Sequence, residues 1–277
     1  MNLEMKKIYI DSRFRTKTFK NESDFNIELP RSYNIPDGVI AHIDDIVIPV
    51  SWSTIDERNQ SCYNRISCGS LVRNVNFNFV AKNYDGYQFA TTLTTKVTES
   101  AAGLDPLPTF NCTYDHLENI LVITMGDSRS DSEKFLTPIK LQFLTDDTLT
   151  YGSPRIASPN TINTIIRNTQ EAVITESAPY TCYLDLFQTR NLYLTSSALA
   201  SYDTVSNFGI DTIVKKIPCT AGYNKMIIQS SGSTLDGLDV SKRTLRFLDF
   251  KLVDSSFRTV PLKGNHFSFS IVFQHKR

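Results

Sequence analysis

Residues 39 to 52 read VIAHIDDIVIPVSW, and the placement of their apolar side chains decides what kind of structure this chain builds. Val39, Ala41 and Ile43 fall at odd positions, whereas Ile46, Ile48, Val50 and Trp52 fall at even ones. Alternation with a period of two suits a strand with one buried face and does not suit a helix. The phase slips by one across Asp44-Asp45. A β-bulge has this effect, because one extra residue re-aims every side chain after it. Pro49 removes a ladder donor, so the stretch reads as an edge or bulged strand rather than a central one. Two charges at a kink would also discourage pairing with stray strands. Adjacent carboxylates invite an acid–base reading as well, but that chemistry needs a cleft to push two pKa values apart. No sequence feature supplies one, so the aspartates are read as structural.

The same alternation recurs outward from this stretch. Phe25, Ile27 and Leu29 alternate with Asn26 and Glu28, Val75, Phe77 and Phe79 with Asn74, Asn76 and Asn78, and Phe267, Phe269, Ile271 and Phe273 with Ser268, Ser270 and Gln274. Each is a strand with one wet face. Further strands are expected at Lys7 to Asp11, Cys62 to Cys68, Thr109 to Tyr114, Asn119 to Thr124, Ile139 to Leu144, Tyr180 to Leu194, Thr212 to Pro218, Lys225 to Gln229 and Thr244 to Val253. Pro36-Asp37-Gly38, Asp236-Gly237 and Lys263-Gly264-Asn265 carry the turn chemistry between them.

One segment reads as a helix. Phe89, Leu93 and Val97 recur four residues apart, Asp85 is placed to cap the N-terminus, and Gly103 marks the stop. Its many threonines make it intrinsically weak, so it needs a sheet to lie on, and the strands around it supply one. The chain therefore reads as mainly β: a single jelly-roll β-sandwich with an inserted small α+β unit. The sandwich takes residues 1–73 and 180–277, about four strands from each, and the insertion takes 74–179. Within the insertion, Thr150 to Ala178 is rich in Ser, Thr, Asn and Pro, with Ile162, Ile165 and Ile166 its only apolar cluster. It reads as a long loop or arm.

Composition excludes more than it selects. Lys plus Arg and Asp plus Glu both total 29, so no global charge draws the chain to a polyanion. The five cysteines, Cys62, Cys68, Cys112, Cys182 and Cys219, are scattered and lack a C-x-x-C pair, which predicts reduced, mostly buried thiols rather than a disulfide scaffold or a zinc site. No signal peptide and no apolar run of membrane-spanning length is found, so no membrane insertion is expected. His42, His116, His266 and His275 fall in no ligand spacing, and the G-x-S-x-G, Walker A and G-x-G-x-x-G signatures are missing. No catalytic residue, cofactor or metal is assigned, and the chain is read as a non-enzyme.

The basic run from Asp11 to Lys20 stands apart. Arg13, Arg15, Lys17 and Lys20 are interleaved with Phe14 and Phe19, a pattern able to neutralise phosphates and stack on bases. A solvated loop that packs its two rings on a neighbour is the simpler reading.

Two blocks of the chain carry a family resemblance. IYIDSRFRT (8–16), SDFNIELP (23–30), IPDGV (35–39) and IDDIVIPVSW (43–52), followed by Asn59 and Tyr63, form the first. NLYLTSS (191–197), KKIP (215–218), LRFLDFKLVD (245–254) and VPLKGNHFSFS (260–270) form the second. In order and spacing these resemble the minor capsid, or penton, proteins of virophages and Maverick/Polinton-type viruses, while the middle matches only in kind. The resemblance implies a single jelly roll that forms a homopentamer at the five-fold vertices of an icosahedral capsid. It also implies a double jelly-roll major capsid protein as partner, and a virion protein made in the host cytoplasm. On that reading the basic run would face the capsid interior and touch packaged DNA. The rival from another class is a β-sandwich binding module, such as a receptor- or glycan-binding virion appendage, using loop aromatics Tyr84, Tyr87, Tyr151 and Tyr202.

Overall fold

A computed structural model describes residues 7–16, 21–104, 107–144, 161–166, 173–201, 205–206, 209–230 and 237–276. The strands β1 (Lys7–Asp11), β2 (Asp24–Asn34) and β3 (Val39–Pro49) come first. The middle of the chain carries β4 (Ser61–Cys68), β5 (Leu71–Asn78), α1 (Gly86–Ser100), β6 (Thr109–Asp115), β7 (Ile120–Gly126), α2 (Asp131–Leu136), β8 (Ile139–Phe143), α3 (Ile162–Ile165), β9 (Val173–Ile174) and β10 (Tyr180–Tyr183). The remainder carries β11 (Asn191–Thr195), β12 (Ile213–Pro218), β13 (Met226–Gln229), β14 (Leu238–Asp239), β15 (Thr244–Asp254) and β16 (Ser268–His275).

These elements form two units: Met1–Trp52 with Thr189–Arg277, and Ser53–Gln188. In the first, all pairing is antiparallel and nested. Counting along this unit and leaving aside the two-residue β14, the first strand pairs with the last (β1 with β16), the second with the last but one (β2 with β15), the third with β13 and the fourth, β11, with β12. Two further pairings, β16 with β3 and β11 with β15, roll this long double ribbon into two sheets, β1-β16-β3-β13 and β12-β11-β15-β2. That is a jelly roll, eight strands in a two-sheet sandwich. Its core is the inward half of each alternating strand: Ile8 and Ile10, Ile43, Ile46 and Ile48, Phe269, Ile271 and Phe273 from one sheet, Phe25, Leu192, Leu194, Leu248, Phe250 and Leu252 from the other. Phe250 and Phe269 meet edge to face across the sandwich at 4.8 Å between ring centroids, and Phe25 lies 5.8 Å from Phe250.

The phase slip is a bulge. Ser268 faces Val47 and Ser270 faces Asp44, so two steps along β16 span three along β3, and the surplus residue falls opposite Phe269. Asp45 adopts φ +39°, the left-handed region that Asp tolerates better than most residues. Buried residues run Val39, Ala41, Ile43 before it and Ile46, Ile48, Val50, Trp52 after it. The expectation of an edge strand is corrected: β3 is central, with β16 on one side and β13 and β14 on the other. Pro49 is tolerated because it ends the strand, and the next donor, the Val50 N–H, bonds the Lys225 carbonyl at 2.8 Å.

The second unit has two sheets of its own, β5-β4-β8-β9 and β10-β7-β6. Helix α1 forms as its sequence indicates: the Asp85 carboxylate accepts the Gln88 N–H at 2.7 Å, and Phe89, Leu93 and Val97 are buried. Thr91, Thr94 and Thr95 donate to the carbonyls one turn back, while Thr94 also accepts the Cys112 N–H of edge strand β6 at 2.9 Å. Gly86 is required by packing, since a Cβ there would sit 2.1 Å from the Tyr114 ring.

The units divide at Trp52/Ser53 and Gln188/Thr189 rather than near residues 73 and 180. Strand β4 pairs with β5 and β8, and β10 pairs with β7, so both belong with the middle of the chain. Alternation showed that 53–73 and 180–188 contain strand but not which sheet completes it. The expected Tyr180 to Leu194 strand is accordingly two strands in different units. Within the stretch expected to be an arm, the segment 161–166 packs in the core instead. Ile162, Ile165 and Ile166 are fully buried. Asn163, also buried, donates to the Tyr63 and Leu144 carbonyls at 2.7 and 2.8 Å and accepts the Tyr63 N–H at 2.9 Å. Residues 150–160 and 167–172 of that stretch lie outside the described residues.

Candidate assembly surface

The paired aspartates are held by a cation. Lys7 on β1 reaches across β16 to both, its Nζ 3.2 Å from Asp44 Oδ2 and 3.2 Å from Asp45 Oδ2. These hydrogen bonds, Asp44's first, raise the ammonium's pKa above its ordinary value. One lysine bridging the two carboxylates ties the bulge to β1 across the intervening strand.

The basic run is divided by its own neighbours. Asp11 caps the short 3-10 turn Ser12–Phe14, accepting the Arg13 N–H at 2.9 Å and the Arg13 Nε at 3.0 Å. The guanidinium holds the Asp11 carboxyl below the usual carboxylate range. Arg15 donates to the Ser12 carbonyl at 3.1 Å and lies 3.5 Å from Glu22. Phe14 is exposed, with the Arg13 guanidinium 5.9 Å from its ring centroid. Lys17, Phe19 and Lys20 lie outside the described residues. The run is thus not a row of uncommitted charges, because its two arginines already meet carboxylates.

The histidines do not converge. Ser12 Oγ lies 3.2 Å from His266 Nδ1 and accepts the Phe267 N–H at 3.1 Å, and His116 pairs with Tyr87. Among the described residues no group of three His, Cys, Asp or Glu side chains is arranged to hold a metal. The Asp239 end of the Asp236 to Asp239 turn is committed to Lys276 Nζ at 2.6 Å and the Ser241 N–H at 2.9 Å. All five cysteines are free thiols. Burial pushes Cys112 and Cys219 up to about 11 and Cys182 up to about 12, which keeps them protonated and unreactive at neutral pH. No helix of the described residues is long and apolar enough to cross a membrane.

What sequence reading missed lies at the two rims of the first sheet. Among the described residues no strand pairs with the outer edge of β1 or of β13. Val50 donates to the Lys225 carbonyl, so antiparallel alternation puts Ile227 and Gln229 in hydrogen-bonded pairs with β3 and turns the N–H and C=O of Met226 and Ile228 outward. The side chains of those residues are 54% and 74% exposed. At the opposite rim Ser12 donates to the Phe267 carbonyl, so Tyr9, 80% exposed, turns its backbone to the open edge. Exposed apolar edge strands are the kind that pair or pack with another chain. The alternating pattern gave a signal for this, since Met226 and Ile228 flank the inward Ile227, but which strands lie at an edge is not written locally.

No family model matches the chain, and no curated protein matches it. A solved structure does: the crystal structure of the selenomethionine-labelled mavirus penton protein aligns with a TM-score of 0.56 at 11% sequence identity, covering 98% of this chain and 100% of that one. The two share a fold. That fold is mainly β, an antiparallel β-sandwich of the jelly-roll kind, and the alignment runs over both units of the chain.

Proposed function

We propose that the chain is a structural capsid protein that forms the pentameric vertex, or penton, of an icosahedral virion, alongside a double jelly-roll major capsid protein. The observation that carries this reading is the full-length likeness in fold to a penton protein, spanning the sandwich and the inserted unit together. The rims of the first sheet add physical support. A five-fold ring is a heterologous assembly, in which each subunit offers two unlike surfaces to its neighbours. Tyr9 on β1 and Met226 with Ile228 on β13 are unlike, exposed and at opposite edges of one sheet. The role is one of assembly and not of reaction, made in the host cytoplasm and ending in the virion.

Sedimentation of the purified chain, alone and with a major capsid partner, tests the reading. A species of about five times 31.4 kDa is expected, converted to monomer by Ile228→Lys. A chain that stays monomeric at high concentration and is missing from particle vertices would overturn it. Within this reading Arg13, Arg15, Lys17 and Lys20 face the capsid interior. Changing all four to Ser lowers encapsidated DNA only modestly, because Arg13 and Arg15 already meet Asp11 and Glu22. Unchanged DNA content in intact particles removes that contact.

A further inference from the structure

We propose that Tyr87, Tyr114 and His116 of the inserted unit form a binding platform for a neutral saccharide ring. Tyr87 stands in the first turn of α1 and is 55% exposed. Tyr114, near the end of β6, packs against Gly86, whose missing Cβ lets the ring lie against the helix. The two tyrosine rings meet edge to face at 5.3 Å and 89°, and the Tyr87 hydroxyl and His116 Nδ1 are 2.9 Å apart. The Tyr114 hydroxyl donates to Asn119 Oδ1 at 2.9 Å. The platform is therefore set in place by hydrogen bonds and by a glycine before any ligand arrives, which lowers the ordering cost of binding.

Around the rings stand two oriented carboxylates. Asp85 Oδ1 accepts the Gln88 N–H at 2.7 Å and Asp115 Oδ1 accepts the Leu117 N–H at 2.9 Å, so each group's plane is fixed by the backbone. Burial first, then Tyr87 and the charges of Asp115 and Asp85, raises the Tyr114 hydroxyl's pKa, which places both carboxylates within electrostatic reach of that ring. An exposed tyrosine face suits the C–H face of a pyranose, and carboxylate and imidazole groups suit its hydroxyls. The charges narrow the class. Among the described residues neither Asp85 nor Asp115 has a basic partner, so an anionic ligand is repelled. Asp85 caps α1, so the helix dipole offsets part of its charge and weakens the pull of the site on a cation, while its carboxylate oxygens stay available to accept from hydroxyls. A neutral polyhydroxyl ligand uses those acceptors without the repulsion an anion meets.

The inference stands apart from the capsid reading, and the failure of either leaves the other intact. Its test is a glycan array probed with the full chain, followed by saturation-transfer NMR on each hit. Binding to at least one neutral glycan is expected, weakened about tenfold in Tyr87→Ala and in His116→Ala. Tyr87→Phe, which keeps the ring, should lose less, and Phe247→Ala, at an exposed aromatic of the other unit, should lose nothing. Matching thermal transitions for the four variants exclude misfolding as the cause. An array with no signal above background overturns the proposal, as does a hit that Tyr87→Ala leaves unchanged. Tyr87-dependent binding of choline or arginine in place of sugars also overturns it, assigning the platform to cations.

Discussion

The sandwich unit and the inserted unit are both β-rich and both have full apolar cores, but they satisfy their backbones by different means. In the sandwich, strand pairs far apart in sequence do almost all of it: β1 with β16 and β2 with β15 join the two ends of the chain. Polar side chains there serve mainly turns and outer faces, as Asp249 does in accepting the Ser197 and Ala198 N–H groups at 2.8 and 2.9 Å. The inserted unit is built from local hairpins, β4 with β5 and β6 with β7, joined by irregular stretches. Its Asn and Thr side chains stand in for missing strand partners. Asn163 holds Tyr63 and Leu144, Thr94 caps Cys112, and Asn119 Nδ2 donates to the Leu184 carbonyl at 2.9 Å. A composition that reads as loop can thus be hydrogen-bonding equipment for a core, because a buried backbone group without a partner is costly.

The sharpest way to break the sandwich alone is to delete Asp45. Without the surplus residue, either Val39, Ala41 and Ile43 or Ile46, Ile48, Val50 and Trp52 must turn to solvent. At about 1.5–3 kcal/mol for each large side chain the loss approaches the whole stability of a domain. The expected result is loss of the cooperative transition of Trp52 fluorescence, which reports this unit because Trp52 is the chain's one tryptophan. Asp45→Ala, which keeps the residue count, should cost only about 1–2 kcal/mol, mainly because alanine is strained at φ +39°, the ion pair with Lys7 being largely exposed. Equal damage from both changes would mean that the carboxylate, and not the extra residue, matters.

Arg129→Ala is the counterpart in the inserted unit. Arg129 and Asp127 are nearly enclosed, at 7% and 4% exposure, with Nη2 2.6 Å from Oδ2, and Arg129 also donates to Thr137 Oγ1 at 2.9 Å. Removing the guanidinium strands a buried carboxylate and costs about 3 kcal/mol, the low end for such a pair. Faster thiol labelling of Cys62, Cys112 and Cys182, with the Trp52 transition unmoved, is the expected outcome. A shift of both together would show that the units unfold as one.

Alkali should distinguish the units more mildly. Burial raises Cys112 to about 11 and Cys182 to about 12 from an ordinary 9.0, and raises Cys62 and Tyr180 as well. An acid whose folded pKa is raised holds its proton longer in the folded state, so its contribution is intact below the unfolded value and falls as pH rises towards the folded one. Stability of the inserted unit is therefore expected to decline between pH 9.0 and about 11 to 12, by on the order of 2 kcal/mol for Cys112 alone. Among the described residues of the sandwich, only Cys219 is raised by burial in this way. Urea titrations at pH 8 and pH 10.5, followed by thiol labelling and by Trp52, would refute this if the sandwich weakened first.

Much of the strand inventory was legible because alternation is a local property. Val39 to Trp52 revealed its strand, its buried face and its bulge, and Asp85 with Phe89, Leu93 and Val97 revealed α1, since a cap and a period suffice. Tyr84 shows the limit. It reads as a loop aromatic free to bind, yet it is core, its ring edge to face with Phe79 at 5.6 Å. Tyr151 and Tyr202 lie outside the described residues. His116 gave no hint of pairing with Tyr87, because that contact joins a helix start to a hairpin turn nearly thirty residues away.

What the sequence by itself determined is which side chains face inward, where the phase slips, and where the chain must turn, all set by sterics and solvation within a few residues. What only the tertiary structure decided is partnership. It made β3 central rather than an edge, gave β4 and β10 to the inserted unit, buried the isoleucines around Asn163, and set Lys7 between Asp44 and Asp45. Each of those outcomes depends on groups brought together from distant parts of the chain, where loop closure has already been met by the burial of many other residues. No local pattern encodes which of several compatible strands or charges completes a given one.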